Sequence, residues 1–312
     1  MARRIEAVVL NHDDHEATLR AVRELAGSRG VRVDVLVVDA ASRPDDVAAL
    51  RRAVDPDRLL ALPENRGYAG GMNAGLAFWR REGAGAPVLL LTPDARVDGD
   101  AARRLLDALE AGGRVGAVGP VVAYSTDPAG RIGAGGDILP GRARVRLSTR
   151  VRRPDPYDVD WIEGCCMLLR PGAVEAVGGF DEAYFLYFEE IDLCHRLREA
   201  GWSVRVVPGA AVLHPKAAGG LPPRYFYYMT RNAYRFWRKN FGLGPWRPAL
   251  ESLRATLWLG IVALGAVLLP TRWSQARARL RDFRRQLGGA WAGTVDSLRS
   301  RTGARAPRRP RR

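Results

Sequence analysis

Short apolar runs recur along the first hundred residues, and between them lie stretches whose apolar positions return every three or four residues. Ala7–Leu10, Val33–Val38, Leu59–Leu62 and Val88–Leu91 read as strands, the last apolar at every position. Glu16–Ala26, Asp45–Ala53 and Gly71–Arg81 carry the helical period. Strands that are apolar on both faces and alternate with helices predict an α/β fold, a parallel sheet covered on both sides. Ligands bind such sheets beyond the carboxyl ends of the strands. The residues there are all polar: Asn11, Asp39, Glu64–Asn65 and Thr92-Pro93-Asp94.

Ser125 to Asp160 is rich in Gly, Pro and Arg without a sustained period, which predicts a long, partly mobile lid or acceptor-side excursion. Order returns with Trp161–Arg170, a strand-like run broken by Gly164, and with a short helix from Pro171. Ile191, Cys194 and Leu197 then mark a buried helical stripe, Trp202–Val207 a strand, and Arg231–Phe241 a basic, aromatic helix. Ala255–Leu269 is almost purely apolar and flanked by Arg254 and Arg272. Fifteen residues fall short of the roughly 18–20 that span a bilayer. Two readings stay open there: a helix lying in the membrane plane, backed by arginines, and a buried core helix.

A chain of 312 residues accommodates one large α/β domain and an appendage, and 47% hydrophobic content excludes wholesale disorder. The net charge of +15 is carried almost entirely by arginine, densest from Arg299 to Arg312. Such a surface suits anionic lipid, phosphorylated substrates or nucleic acid. Aromatic residues are not interleaved with the terminal arginines and no nucleic-acid motif is present, so nucleic acid is not the expected partner. Cys165, Cys166 and Cys194 make no disulfide framework, and with His195 and His214 they lack paired zinc spacing. No apolar stretch follows Arg3 and Arg4, so the catalytic part is expected in a reducing cytoplasm.

The most informative stretch places Glu189, Glu190 and Asp192 in the first turn of the Ile191 helix, directly after an aromatic run. These acids are either a dipole-favoured helix start or a general base at the mouth of an apolar pocket. Asp94 closes a buried strand, and His214 follows two further apolar runs. One carboxylate and one imidazole with open positions suit a divalent cation that already carries diphosphate oxygens. Asp39 can accept hydrogen bonds from a base or ribose. Asn65-Arg-Gly-Tyr-Ala-Gly-Gly-Met-Asn73, with Gly70 at its centre, is a glycine-rich helix start suited to close approach by a phosphorylated ligand. It lacks the Gly-Lys-Ser/Thr of a Walker loop, and Asn11-His-Asp-Asp-His replaces dinucleotide-binding glycines, which disfavours a nicotinamide dehydrogenase. Adjacent acids such as Glu189 and Glu190 cannot face each other across a scissile bond, which disfavours a glycoside hydrolase.

In order along the chain, several segments together resemble the family 2 inverting glycosyltransferases of the GT-A fold, especially rhamnosyltransferase-like members of bacterial cell-envelope assembly. The N-terminal pieces are Val8-Val-Leu-Asn11, Val37-Val-Asp39, Glu64-Asn-Arg-Gly-Tyr-Ala-Gly-Gly-Met-Asn73 and Thr92-Pro-Asp94. Trp161-Ile-Glu-Gly-Cys-Cys-Met-Leu-Leu-Arg170, Gly178 to Cys194, Ala200-Gly-Trp and Leu213-His214 complete the match, which covers about residues 5 to 240. The resemblance implies a nucleotide-diphosphate-sugar donor, such as dTDP-rhamnose or a UDP-sugar, a glycan or polyprenyl-linked acceptor, and Mg2+ or Mn2+. It implies nucleotide-sugar binding by Asn11, Asp39, Asn65, Gly70, Asn73, Thr92 and Asp94, and metal ligation by Asp94 and His214. Glu190 takes the place of the family's usual Asp base, with Glu189 beside it, and Trp161, Gly164, Cys165 and Asp192 line the sugar and acceptor cleft. Thr92 stands where the family commonly has Asp or Asn. The implied organisation is a GT-A catalytic domain over 1–242, a helical membrane-associating segment over 243–290 and a basic disordered tail over 291–312, at the cytoplasmic face of the plasma membrane. The alternatives are a non-catalytic family member and a basic binding protein for nucleic acid or membrane.

Overall fold

The computed structural model describes residues 3–82, 85–125, 129–215, 223–244 and 288–297. Strands β1 (Arg4–Asn11), β2 (Arg32–Asp39), β3 (Leu59–Ala61) and β4 (Val88–Leu91) alternate with helices α1 (His15–Ala26), α2 (Pro44–Ala53) and α3 (Gly67–Glu82). All four strands are parallel neighbours in the order β4-β1-β2-β3. The Asp14 carboxylate caps α1 by accepting from the Ala17 N–H at 3.1 Å, and Pro44 opens α2, where its missing N–H costs nothing.

The next stretch holds β5 (Arg96–Val97), α4 (Ala101–Glu110) and β6 (Val115–Tyr124). Buried Ala101, Ala102, Leu105, Leu106 and Leu109 form the inner face of α4. Sequence reading passed over β6 because Gly116, Gly119 and Pro120 interrupt it. Those glycines make room for larger neighbours: a Cβ on Gly116 would come within 2.9 Å of Trp202, and one on Gly119 within 3.0 Å of Ile162.

Residues 129–160 are ordered more than their composition predicts. They form β7 (Ile132–Gly133), β8 (Gly136–Leu139), β9 (Arg144–Leu147) and β10 (Tyr157–Asp158), pieces too short to show a period. Arg146 and Arg152 both pair with Asp137, at 2.6 and 2.5 Å. Of the run Trp161–Arg170, only β11 (Cys166–Leu169) is strand, and Trp161 forms a lone bridge to Gly136. Helices α5 (Pro171–Val177) and α6 (Glu189–Glu199) and strand β12 (Ser203–His214) follow.

The sheet runs β10-β12-β6-β11-β4-β1-β2-β3. β12 is parallel to β6, whereas β11 is antiparallel to both β4 and β6. The sheet is therefore mixed, mostly parallel, with β11 reversed near its middle and the short β5, β7 and β10 reversed towards one side. Its core includes fully buried Ile5, Val9, Leu89, Leu91, Val118, Cys166 and Leu168.

Contacts divide the chain into two units, Met1–Ile138 with Arg146–Lys216, and Leu139–Val145 with Ala217–Arg312. Helix α7 (Pro223–Phe241) thus groups with the C-terminal part rather than with the sheet. Residues 288–297 are helical, so the expected disordered tail does not begin at 291. The Tyr227 hydroxyl donates to Asp296 at 2.5 Å, and a Cβ on Gly293 would lie 2.5 Å from the Tyr227 carbonyl, which ties that helix to α7. The Ala255–Leu269 segment lies outside the described residues. No helix among the described residues is long and apolar enough to cross a membrane.

One acid of β1 is set against its surroundings. Glu6 is 1% exposed. Burial, opposed by Arg4 and reinforced by Asp34, pushes its carboxyl from 4.5 to about 7. The folded chain therefore holds a proton that the unfolded chain releases between those two values. The contribution of Glu6 to stability is fullest below pH 4.5 and falls as pH rises towards 7, by roughly 3 kcal/mol once both states are ionised. Glu6→Gln is expected to flatten this slope and to stabilise the protein at pH 8. Urea unfolding at pH 5 and pH 8 measures it, and an unchanged slope refutes it.

Candidate active site

The reversed strand β11 brings distant parts of the chain to one edge of the sheet. Cys166, at the start of β11, pairs with Leu91, at the end of β4, and the Thr92 N–H donates to the Cys165 carbonyl at 3.0 Å. The parallel strands β6 and β12 end together, Tyr124 opposite His214. Asp94, Tyr124, Glu163–Cys165 and His214 thus lie along the same edge.

His214 Nε2 and Asp94 Oδ2 are 3.4 Å apart, with the Asp94 side chain 43% exposed. Burial alone would raise the Asp94 carboxyl, but the hydrogen bond and charge of His214 hold it below the usual carboxylate range. Burial likewise opposes protonation of His214, yet Asp94 and then Glu163 raise its pKa overall. Two donors on a small divalent ion sit about 3 Å apart, so this separation, and the pairing of carboxylate with imidazole, fit Mg2+ or Mn2+. Among the described residues no third His, Cys, Asp or Glu joins them. The remaining positions would fall to phosphate oxygens and water.

Glu190 reaches the same cleft from α6. The loop before it is strained: Phe185, Tyr187 and Phe188 all have positive φ, at 67°, 68° and 73°. Side chains other than glycine's adopt this region at a cost. Phe185, with ψ of −58°, is the centre of a tight turn in which the Leu186 N–H donates to the Tyr184 carbonyl at 2.8 Å. Tyr184 and Phe188 are buried and hold this turn in place. The Glu190 stem packs on Gly164, where an added Cβ would stand 3.4 Å from its own. The Tyr68 hydroxyl donates to the Gly164 carbonyl at 2.5 Å. Burial, reinforced by the charge of Glu163, pushes the Glu190 carboxyl from 4.5 to about 7. Its Oε2 is buried without a hydrogen-bond partner among the described residues. Glu189 beside it is buried at 4% exposure. The Gly164-Cys165 backbone links the two acids: the Glu190 stem packs on Gly164, and the Cys165 carbonyl accepts from Thr92, two residues before Asp94. Burial first, then these acids, drives the Cys165 thiol well above its ordinary value, so it lines the cleft as a neutral group.

The profile described as Glycosyl transferase family 2 matches residues 7–178. This chain belongs to that family. Over 282 residues it is 32% identical to the N-acetylglucosaminyl-diphospho-decaprenol L-rhamnosyltransferase of Mycobacterium tuberculosis, covering 82% of this chain and 90% of that protein. A shorter match, 46% over 56 residues, is to the rhamnosyltransferase WbbL of Escherichia coli, covering 18% of this chain and 21% of that one. The mannosyltransferase PcManGT of Pyrobaculum calidifontis, solved with GDP-Man and Mn2+, superposes with a TM-score of 0.58 at 16% identity, over 96% of this chain and 88% of its own. GalNAc-T7, solved with UDP, GalNAc and Mn2+, gives 0.55 at 14% identity, over 75% of this chain and 48% of its own. The fold is GT-A, and the chain is a glycosyltransferase.

At the other end of this glycosyltransferase's cleft, Asn11 and Asp39 stand side by side where β1 and β2 finish. Asn11 is fully buried. Its amide donates to Asp39 at 2.7 Å, Ser42 at 2.9 Å and Asp46 at 2.7 Å, and its carbonyl accepts from Thr18 at 2.7 Å. It orients Asp39 rather than presenting a free edge to a ligand. Asn65 caps α3 by accepting from the Gly67 N–H at 2.8 Å, and its amide faces His12 Nε2 at 3.2 Å. His12, not singled out from the sequence, is brought to this end by its Nδ1 contact with the Ala40 carbonyl at 3.1 Å.

Four expected site residues are taken up by contacts within the fold. Asn73 donates to the Phe180 carbonyl and to Glu182, at 2.9 and 3.0 Å, and accepts from the Phe180 N–H at 2.9 Å. Its side-chain amide staples α3 to the 178–182 loop instead of lining a nucleotide pocket. A Cβ on Gly70 would collide with Arg66, which pairs with Glu182, and one on Gly75 would meet Val8 at 2.6 Å. Gly75 lets α3 lie close to β1, and Gly70 makes room for the Arg66 side chain. Asp192 is fully buried, accepting from Tyr184 at 3.1 Å and pairing with Arg196 at 2.7 Å, so it anchors α6 and lines no cleft. Trp161 is also buried, stacked over Gly136. Glu163 lies between Trp161 and Gly164, in the stretch that the resemblance assigns to the cleft, but without a role of its own. It lies inside an apolar run, Trp161 to Leu169, where a single carboxylate gave no signal.

Proposed function

We propose that this glycosyltransferase moves rhamnose from a nucleotide-diphosphate donor to a hydroxyl of a polyprenyl-diphosphate-linked N-acetylglucosamine acceptor, with inversion, in cell-envelope polysaccharide synthesis. The observation that carries the reading is Glu190. It is a half-buried carboxyl pushed to about 7, standing around the same cleft as the Asp94–His214 pair. The mycobacterial relative's name supplies the donor sugar and the acceptor class.

Glu190 takes the proton from the acceptor hydroxyl, and that oxygen forms a bond to the anomeric carbon. The bond from this carbon to the diphosphate oxygen breaks on the opposite face, and its electron pair leaves with the nucleoside diphosphate. Asp94 and His214 would hold the divalent ion, which would offset charge developing on the leaving group. Asp39, oriented by Asn11 and Ser42, and Asn65 with His12 lie towards the nucleoside. Tyr68 and Gly164 fix the Glu190 stem, and Cys165 contributes an uncharged wall. The arginine-rich C-terminal part suits an anionic membrane surface at its cytoplasmic face, where a polyprenyl-linked acceptor sits.

The test is transfer by the full chain, with Mn2+, from dTDP-rhamnose to polyprenyl-diphosphate N-acetylglucosamine, with the product anomer read by NMR. An inverted rhamnosyl product is expected. Turnover of UDP-hexoses alone, or retention of configuration, overturns the assignment.

A further inference from the structure

Glu163 has no part in the reading above, yet the fold invests in its placement. The Tyr124 hydroxyl, at the end of β6, donates to Glu163 at 2.6 Å. Gly133 of β7 pairs with Val122 of β6, and any side chain at Gly133 would overlap the Glu163 carboxyl. The acid is therefore seated by a phenol on one strand and by a bare backbone position on the next. The residue that follows it, Gly164, is the one on which the Glu190 stem rests.

The titratable groups facing Glu190 come from three elements: Tyr68 on α3, Glu163 and Cys165 before β11, and Glu189 and Cys194 on α6. Burial raises Tyr68, Cys165 and Cys194 well beyond neutrality, so these three carry no charge near pH 7. Among the described residues Glu163 is the acid whose charge bears on Glu190, and the same charge raises His214 of the Asp94–His214 pair.

We propose that Glu163 is a positioning residue for transfer: a fixed negative charge beside Glu190 that makes it a stronger proton acceptor for the attacking hydroxyl. The proposal rests on Glu190 being the base. A base of higher proton affinity removes a hydroxyl proton more readily, provided it is ionised at the working pH. Like charge in a partly buried site raises that affinity.

The experiment reads the Glu190 side chain directly and transfer separately. In full-length protein labelled at glutamate carboxyl carbons, the Glu190 resonance is followed against pH, assigned by its loss in Glu190→Gln. In Glu163→Gln its midpoint is expected to fall by about 0.5–1 pH unit. The acidic limb of kcat should fall with it, and the rate at pH 8.5 should drop about threefold. Glu163→Asp keeps the charge and should recover most of both. Tyr124→Phe leaves the charge but frees it to move, and should give a partial shift. It also serves if Glu163→Gln does not fold. An unmoved midpoint in Glu163→Gln and Tyr124→Phe overturns the proposal while leaving Glu190 as base. A midpoint that moves while the kcat limb stays put removes Glu190 as base, and the proposal with it. Loss of more than about a hundredfold at unchanged limb would make Glu163 a substrate contact instead.

Discussion

Glu190→Gln is expected to cut sugar transfer by about a thousandfold, within the range that loss of a general base produces. The amide keeps the shape of the side chain and its packing on Gly164 but cannot take a proton. Nucleotide-sugar affinity should therefore stay within about twofold, since the interaction lost acts only on the attacking hydroxyl. The pH dependence gives a second reading of the same change. Burial and Glu163 push the wild-type carboxyl to about 7, and only its ionised form accepts a proton. Wild-type kcat should rise with pH through that value and level off above it, whereas the residual rate of the variant should lack this limb. Steady-state transfer from pH 5.5 to 9 measures both. Near-normal turnover with intact donor binding would remove Glu190 from the chemistry.

Asp94→Ala is expected to act on the other side of the reaction. Its carboxylate is kept ionised by His214 although burial opposes it, and Oδ2 stands 3.4 Å from Nε2. Removing it leaves the imidazole as the sole protein donor of the pair. Loss of charge stabilisation at a leaving diphosphate costs on the order of 100- to 1,000-fold in kcat. Here donor binding should weaken as well, and its enhancement by Mn2+ should largely vanish. Titration of nucleoside diphosphate with and without Mn2+ separates the two effects. Undiminished metal-dependent binding would take Asp94 out of the metal site. The contrast between the variants is informative in itself: one should spare donor affinity and the other should not.

Much of this site was legible in the sequence because its framework strands are buried on both faces. Such strands read as unbroken apolar runs, and the first polar residue after each marks the ligand edge. Asn11, Asp39 and Asp94 stand at such positions, and Glu190 stands at the acidic start of a periodic helix. What stayed hidden were matters of which neighbour a side chain meets. Gly70 sits in a glycine-rich helix start, but composition does not distinguish a ligand from Arg66 as the group needing room. Asp192 shares a helical turn with Glu190, and only the packing of Tyr184 and Arg196 reveals that it turns inward. Asn73 has a polar amide at the end of the glycine-rich segment, yet the 178–182 loop consumes it. Tyr124 and Glu163 are 39 residues apart, and no local pattern links them before β6 and β11 are aligned.

The reversed strand β11 also bears on how the protein is made. β11 fills the gap between β4 and β6, but a ribosome releases it only after both of those strands and the whole 125–165 stretch. At about 5–20 residues per second, the nascent chain spends several seconds with β4 and β6 in hand and nothing to join them. Their facing edges are largely apolar, with unpaired backbone groups until β11 arrives, a surface that invites pairing between chains. Slow translation or a cooler culture lengthens that interval, so holdase chaperones and low synthesis load, rather than slowed elongation, are what should keep this enzyme out of inclusion bodies.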